Sequence, residues 1–178
     1  MGHSRAYPVF RTTDGDAAYA RARELCGLLA EVEEPIMVEA LIGTPERVRR
    51  VAEVVPGAWF EDAEGETYDP WAEPAGAVRF PVWVCQEEAP REAELPFLRA
   101  VGDERASLCW RGTWPVPWAH PQYDGVQVTF HSDDVELDRA AGTHTVFLHV
   151  DKRCPAGQVR EFLAPAGYEP LGEARIGW

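Results

Sequence analysis

The sequence predicts a single two-layer α+β domain over residues 1–178, with a mixed or antiparallel sheet of five to seven strands and helices mainly on one face. Three observations carry this reading. Segments near 16–32, 45–55, 92–101 and 156–164 repeat apolar residues at helical spacing. Shorter runs such as Ile36–Ile42 and Thr145–Val150 are continuously apolar or alternate, as strands do. Two blocks, Pro45 to Gly57 and Pro155 to Gly167, each follow a strand-like run with a Pro-started helix, a glycine stop and an aromatic. Two such β-α-β blocks predict a ferredoxin-like duplicated arrangement; the alternative is that any β-α-β looks this way.

In chain order, Asp14 precedes a face of Ala18, Ala22, Leu25, Leu29 and Val32, and its carboxylate suits the free N–H groups of a first helical turn. Pro35 ends this segment, and the buried strand Ile36–Ile42 follows. Thr44-Pro45 then starts a second helix, because proline at the first helical position has no N–H to waste. Its face is Val48, Val51, Ala52 and Val55. Ala58-Trp59-Phe60 begins a further strand, interrupted by the charged loop Glu61 to Asp69. A strand over Ala77 to Cys85 contains Pro81, which places it at an edge or bulge. A short strand over Ser107 to Trp110 and a paired set, Gly125–His131 with His144–Val150, complete the sheet, with Ala174 to Trp178 as a last strand. The core is expected to hold Leu25, Leu29, Val38, Leu41, Val48, Val51, Val128, Phe130, Val146, Leu148, Phe162 and Leu163.

Composition bounds the function. The 178 residues carry 30 carboxylates against 17 Lys and Arg, a net charge of −13. That disfavours nucleic acid, which is engaged through a basic stripe, and equally an anionic membrane surface. The charge is uneven: residues 31–110 hold eighteen acids and seven arginines, or −11. A field of that sign attracts a basic partner. The bland reading is solubility. A single lysine among sixteen arginines suggests a GC-rich bacterial coding sequence. Four dispersed cysteines form no CxxC pair, and no leader or long apolar span is seen, so a reduced, cytoplasmic setting is expected.

Two constellations could carry chemistry. Trp110, Arg111, Trp114, Trp118, His120 and Tyr123 fall within fourteen residues among three prolines. Rigid aromatic faces suit a ligand cleft or protein interface, or else an apolar lid over the core. The second set is His131, Asp133, Asp134, His149, Asp151 and Cys154. Strand alternation puts His131 and His149 on one face, with Asp133 and Asp151 at strand ends. No HExxH, CxxC or ligand triad occurs, so neither metal nor cofactor is expected. Cys154 precedes Pro155 at a helix start beside Lys152 and Arg153, an environment that lowers a thiol's pKa.

The leading expectation is an acidic, non-enzymatic domain that binds a basic protein, as immunity-type or regulatory proteins do. The alternative is a small enzyme or small-molecule-binding domain. It would use the Trp-rich cleft, with Arg111 as an anion clamp and His120 or His131 as general base.

Overall fold

The computed structural model describes residues 3–72 and 78–178. Its elements are β1 (Ser4–Thr12), α1 (Gly15–Cys26), β2 (Glu31–Val32), β3 (Ile36–Ile42), α2 (Pro45–Val54), β4 (Trp59–Glu61) and β5 (Val82–Ala89). They continue with α3 (Glu94–Val101), β6 (Arg105–Thr113), β7 (Gly125–Phe130), β8 (His144–Asp151), α4 (Ala156–Leu163) and β9 (Arg175–Ile176). The α+β class is thus as expected, with nine strands among the described residues rather than five to seven. The two strands not expected are β1, a nine-residue strand interrupted by Pro8, and β2, only two residues long, whereas β9 falls within the expected strand from Ala174 to Trp178.

The chain divides into two compact units. One comprises the chain up to Glu33 together with Cys109–Trp178, and the other is Glu34–Leu108. In the first unit the strand order is β7-β8-β1-β9, every pairing antiparallel. The pairing of β7 with β8 is the expected one, with Thr129 opposite Thr145 and Gly125 opposite His149. Every residue of both strands is buried, so each face must be covered. Helix α1 packs on β7, β8 and β1. Ala6, Phe147 and Val135 cluster together, so the 131–143 connection contributes to the core.

Asp14 caps α1 as expected, its Oδ1 accepting from the N–H groups of Asp16 and Ala17 at 3.0 and 3.2 Å. The helix stops at Cys26, not near residue 32. Leu25 and Leu29 are both buried, but the apolar spacing beyond Gly27 belongs to a turn and to β2, which pairs with Gly112 and Thr113.

In the second unit the order is β4-β5-β3, then the first half of β6; β5 is antiparallel to both β3 and β4. Strand β5 begins just past Pro81 and pairs on both sides, so it is not the edge strand that the proline suggested. The expected start of that strand, Ala77, lies outside the described residues. Strand β3 buries Ile36, Val38, Ala40 and Ile42, which leaves Leu41 half-buried rather than core. Phe162, also expected in the core, is half-buried against Trp114 and Trp118.

Helix α2 starts as its sequence dictates: Thr44 Oγ1 accepts from the Arg47 N–H at 3.4 Å, and Pro45 occupies the first turn. Val48 and Val51 are fully buried, and α2 packs against α3. Pro45→Gly is expected to lower stability by only about 0.4–1 kcal/mol, because it acts mainly by loosening the unfolded chain. A larger drop in the urea midpoint would show that Pro45 contributes through native packing as well.

The Pro45–Gly57 and Pro155–Gly167 blocks fall in different units. The first supplies the opening helix of one, and the second supplies the closing helix of the other.

Candidate functional site

The segment from β4 to Trp71 carries five carboxylates, Glu61, Asp62, Glu64, Glu66 and Asp69, and no Lys or Arg of its own, although Arg79 from outside it pairs with Glu64 at 2.8 Å. Its backbone is tightly organised. The Asp62 carboxylate accepts from the N–H groups of Glu64 and Glu66 at 2.9 and 3.1 Å, and the Asp62 N–H donates to the Glu66 carbonyl at 2.8 Å. Those backbone donors, that of Glu66 first, hold Asp62 below the usual carboxylate pKa. Gly65 takes a φ of +83° at the tip, a conformation side chains disfavour. The Tyr68 N–H returns to the Phe60 carbonyl at 2.9 Å.

Two tryptophans flank this loop in the chain, and both are exposed: Trp59 at 53 % and Trp71 at 62 %. The Trp59 Nε1–H donates to Glu61 at 3.4 Å, and the Trp71 backbone N–H donates to Asp69 at 2.9 Å. Exposed indoles among ordered carboxylates form a surface able to bury aromatic area while attracting cations. In the sequence Trp59 belongs to the strand expected from Ala58 to Phe60, and no motif marks either ring as functional. The available signal was the density of acids around them.

In the first unit, the Trp-Pro segment turns its first two indoles inward. Trp110 and Trp114 are 0 % and 1 % exposed, so neither presents a ring to a ligand or partner. The cause is that Trp110 sits within β6, and the Trp114 Nε1–H donates to the buried His149 carbonyl at 2.8 Å. Both are core side chains. Trp118 is half-buried, edge-on to Phe162, and lines an open groove of about 490 Å3 with Val116, Pro117, Gln158 and Glu161. Neither His120 nor His131 lines that groove. Arg111 is half-buried on β6, and its carbonyl accepts from the Glu33 N–H. Tyr123 stacks between His3 and His120, at centroid distances of 5.4 and 4.4 Å.

Asp124, which was not singled out, organises this loop. Its Oδ2 accepts from the backbone N–H groups of Trp114 and His120 at 3.2 and 2.9 Å, while Oδ1 is buried without a partner. Burial pushes its carboxyl up to about 6.

The expected histidine pair does not form. His149 lies opposite Gly125, whereas His131 lies just beyond the other end of β7 and meets His144 at a 4.6 Å centroid distance. The His131 N–H donates to His144 Nδ1 at 3.1 Å, and His131 itself adopts φ +53°. His149 is wholly buried. Its Nε2–H donates to Gln127 Oε1 at 2.9 Å, whose amide in turn donates to the Val135 carbonyl. Nδ1 accepts from the Ser4 hydroxyl at 3.1 Å, and the ring stacks on Trp178 at 3.5 Å. Burial holds this imidazole down to about 3, so it remains neutral and structural.

Cys154 reverses its expectation. The thiol is 3 % exposed, and burial pushes it up to about 11, with Asp124 and Asp151 adding to the rise. Arg153 is no help to a thiolate, because its guanidinium is paired to Asp151 at 2.9 Å. That pairing holds Asp151 down to about 2.

Among the described residues no group of three or more His, Cys, Asp or Glu side chains could hold a metal ion, and no helix is long and apolar enough to cross a membrane. Comparison with family models, with curated proteins and with solved structures gave no match.

Proposed function

We propose that this is a non-enzymatic recognition protein whose second unit binds a basic protein through the acidic loop and the indoles of Trp59 and Trp71. The exposure of those two rings on either side of an ordered acidic loop is the observation that carries the reading, since tryptophan is among the side chains that most often anchor a protein interface. The unit Glu34–Leu108 has sixteen carboxylates and seven arginines, a net charge of −9. A field of that sign speeds encounter with a cationic surface, and the tryptophans provide the buried anchors that such interfaces depend on.

We also propose that the two units repeat one architecture. Apart from the short β2 and the second half of β6, which pair with each other, the elements of the first unit run β1-α1-β7-β8-α4-β9 and its sheet order is β9-β1-β8-β7. The second unit runs β3-α2-β4-β5-α3-β6, with sheet order β6-β3-β5-β4. These are the same arrangement. We read it as two ferredoxin-like units, one inserted into the other, the duplication falling between whole units rather than between the two Pro-started helices.

The test is capture of basic proteins from the cells that make this chain, comparing wild type with Trp59→Ala/Trp71→Ala. The double variant is expected to keep its thermal midpoint, because exposed rings contribute little to the core. It should lose at least about 30-fold in affinity for the captured protein, as an anchor worth 2 kcal/mol implies. Capture should also weaken steeply with added salt. Binding that is indifferent to both salt and the double substitution would refute the assignment.

A further inference from the structure

We infer that the first unit binds a small phosphate monoester with an apolar body, in a groove between β1, α4 and the segment 170–176. The groove has a volume of about 830 Å3, within the range of small-molecule sites. Four of the unit's ten basic side chains line it: Arg5 from β1, Lys152 from the turn after β8, Arg160 from α4 and Arg175 from β9. Glu173 is the one carboxylate among its lining residues.

The pairing of these cations is what separates the groove from an ordinary surface. The unit has fourteen carboxylates for its ten bases, so acidic partners are abundant. Arg21, Arg139 and Arg153 each take one, at 3.1, 2.7 and 2.9 Å. Arg5 and Arg160 have no carboxylate within ion-pair distance among the described residues, and both are exposed. Lys152 Nζ lies 3.4 Å from His3 Nδ1, and Arg175 reaches Asp134 only at 4.0 Å. Two unpaired arginines, joined by a lysine and a long-paired arginine around a concavity, concentrate positive potential there, against the sign of the whole chain. Three of the four are arginines, whose planar donor fork matches phosphate oxygens. A phosphate monoester, with about −1.5 to −2 charge, satisfies two or three such groups where a single carboxylate would not.

The apolar body follows from the rest of the lining. Leu171 and Ile176 are 53 % and 70 % exposed, among the few large apolar side chains left open to water in the described residues, and both line this groove beside Pro170. Tyr7 and Ser4 contribute buried positions, the Ser4 hydroxyl being already engaged with His149. Cationic and apolar groups on one groove recognise a ligand that has both.

The experiment titrates the intact chain with 1-naphthyl phosphate, inorganic phosphate and 1-naphthol by calorimetry. Saturable one-to-one binding of 1-naphthyl phosphate is expected, about tenfold tighter than inorganic phosphate. Arg5→Gln and Arg160→Gln should each weaken both phosphates about fivefold or more. Leu171→Ser should weaken only the naphthyl ester. Arg99→Gln, on α3 in the other unit and not among the lining residues, removes the same charge and should change nothing. Equal weakening by Arg99→Gln would reduce the effect to net charge and overturn the site, as would absence of saturation. Sedimentation with phosphatidic-acid vesicles in preference to binding the soluble ester would overturn the small-molecule assignment in favour of a lipid headgroup. Trp59→Ala/Trp71→Ala leaves these titrations untouched, so this site and the protein-binding face stand or fall separately.

Discussion

Lowering the pH from 7 to 4.5 is expected to cost the Asp124→Asn variant about 3 kcal/mol of stability, and the group responsible is His149. Its imidazole is buried between Ser4, Gln127 and Trp178, and burial holds it down to about 3 from an ordinary value near 6.5. Between those values the unfolded chain takes up a proton that the native state refuses. The contribution of a neutral buried histidine is therefore complete above pH 6.5 and drains away as the pH falls toward 3. In the wild type a second group masks the slope. Asp124 is pushed up to about 6 by burial, so between pH 6 and 3.8 the native state binds a proton more readily than the unfolded chain. That stabilises on acidification, by about 2 kcal/mol at pH 4.5. Wild type should accordingly show a shallow profile of urea midpoints, and Asp124→Asn a steep one. Adding His149→Phe to that variant should lower every midpoint, since Ser4 and Gln127 lose their partner, yet flatten the profile. A smaller slope left after His149→Phe belongs to His144, which burial also holds below the ordinary histidine value; a slope undiminished by His149→Phe would assign the acid sensitivity elsewhere.

Local chemistry explains which parts of this fold could be read from the chain. Thr44-Pro45 and Asp14 announce helix starts because the capping groups are adjacent in sequence to the N–H groups they serve. The alternation of β8 predicted which side chains share a face, and Gln127 does meet His149 across the β7–β8 pair. Register along the strands was the missing quantity: a shared face says nothing about distance, and His131 and His149 fall at opposite ends. The end of α1 was hidden because Leu29 and Val32 continue the helical spacing by coincidence while serving a turn and β2. Tryptophans gave the least information. Whether an indole is inside or outside depends on which strand lies beside it, so Trp110 and Trp114 are core whereas Trp59 and Trp71 are open. The cationic groove is illegible for a related reason. Arg5, Lys152, Arg160 and Arg175 come from distant parts of the chain and converge only once β1, α4 and β9 are assembled. By contrast, the negative charge of the Glu34–Leu108 unit needed no structure, because the acids are contiguous in sequence.

At pH 7.5 the substitutions Asp124→Asn and Asp124→Ala are expected to act in opposite directions. The carboxylate is fully charged there and fully buried, and one oxygen has no partner. Its raised pKa corresponds to about 3 kcal/mol of native-state penalty for keeping the charge. Asparagine removes the charge and leaves a carbonyl oxygen to accept from the Trp114 and His120 N–H groups. Its amide nitrogen then occupies the unpartnered position, which costs about 1–3 kcal/mol. The balance is a variant as stable as wild type or more so. Alanine removes the charge as well, but it strands both backbone donors inside the protein, at about 1–3 kcal/mol each. Those donors hold the start and the end of the 114–120 loop, so their loss should also disturb the neighbouring rings of Trp118 and His120. Urea midpoints would then rank Asn at or above wild type and Ala well below it. Tryptophan emission should move to the red in the alanine variant alone. If both substitutions destabilise equally, the charge itself contributes to the native state, through a cation drawn to Asp124, and the sign derived from its raised pKa is wrong.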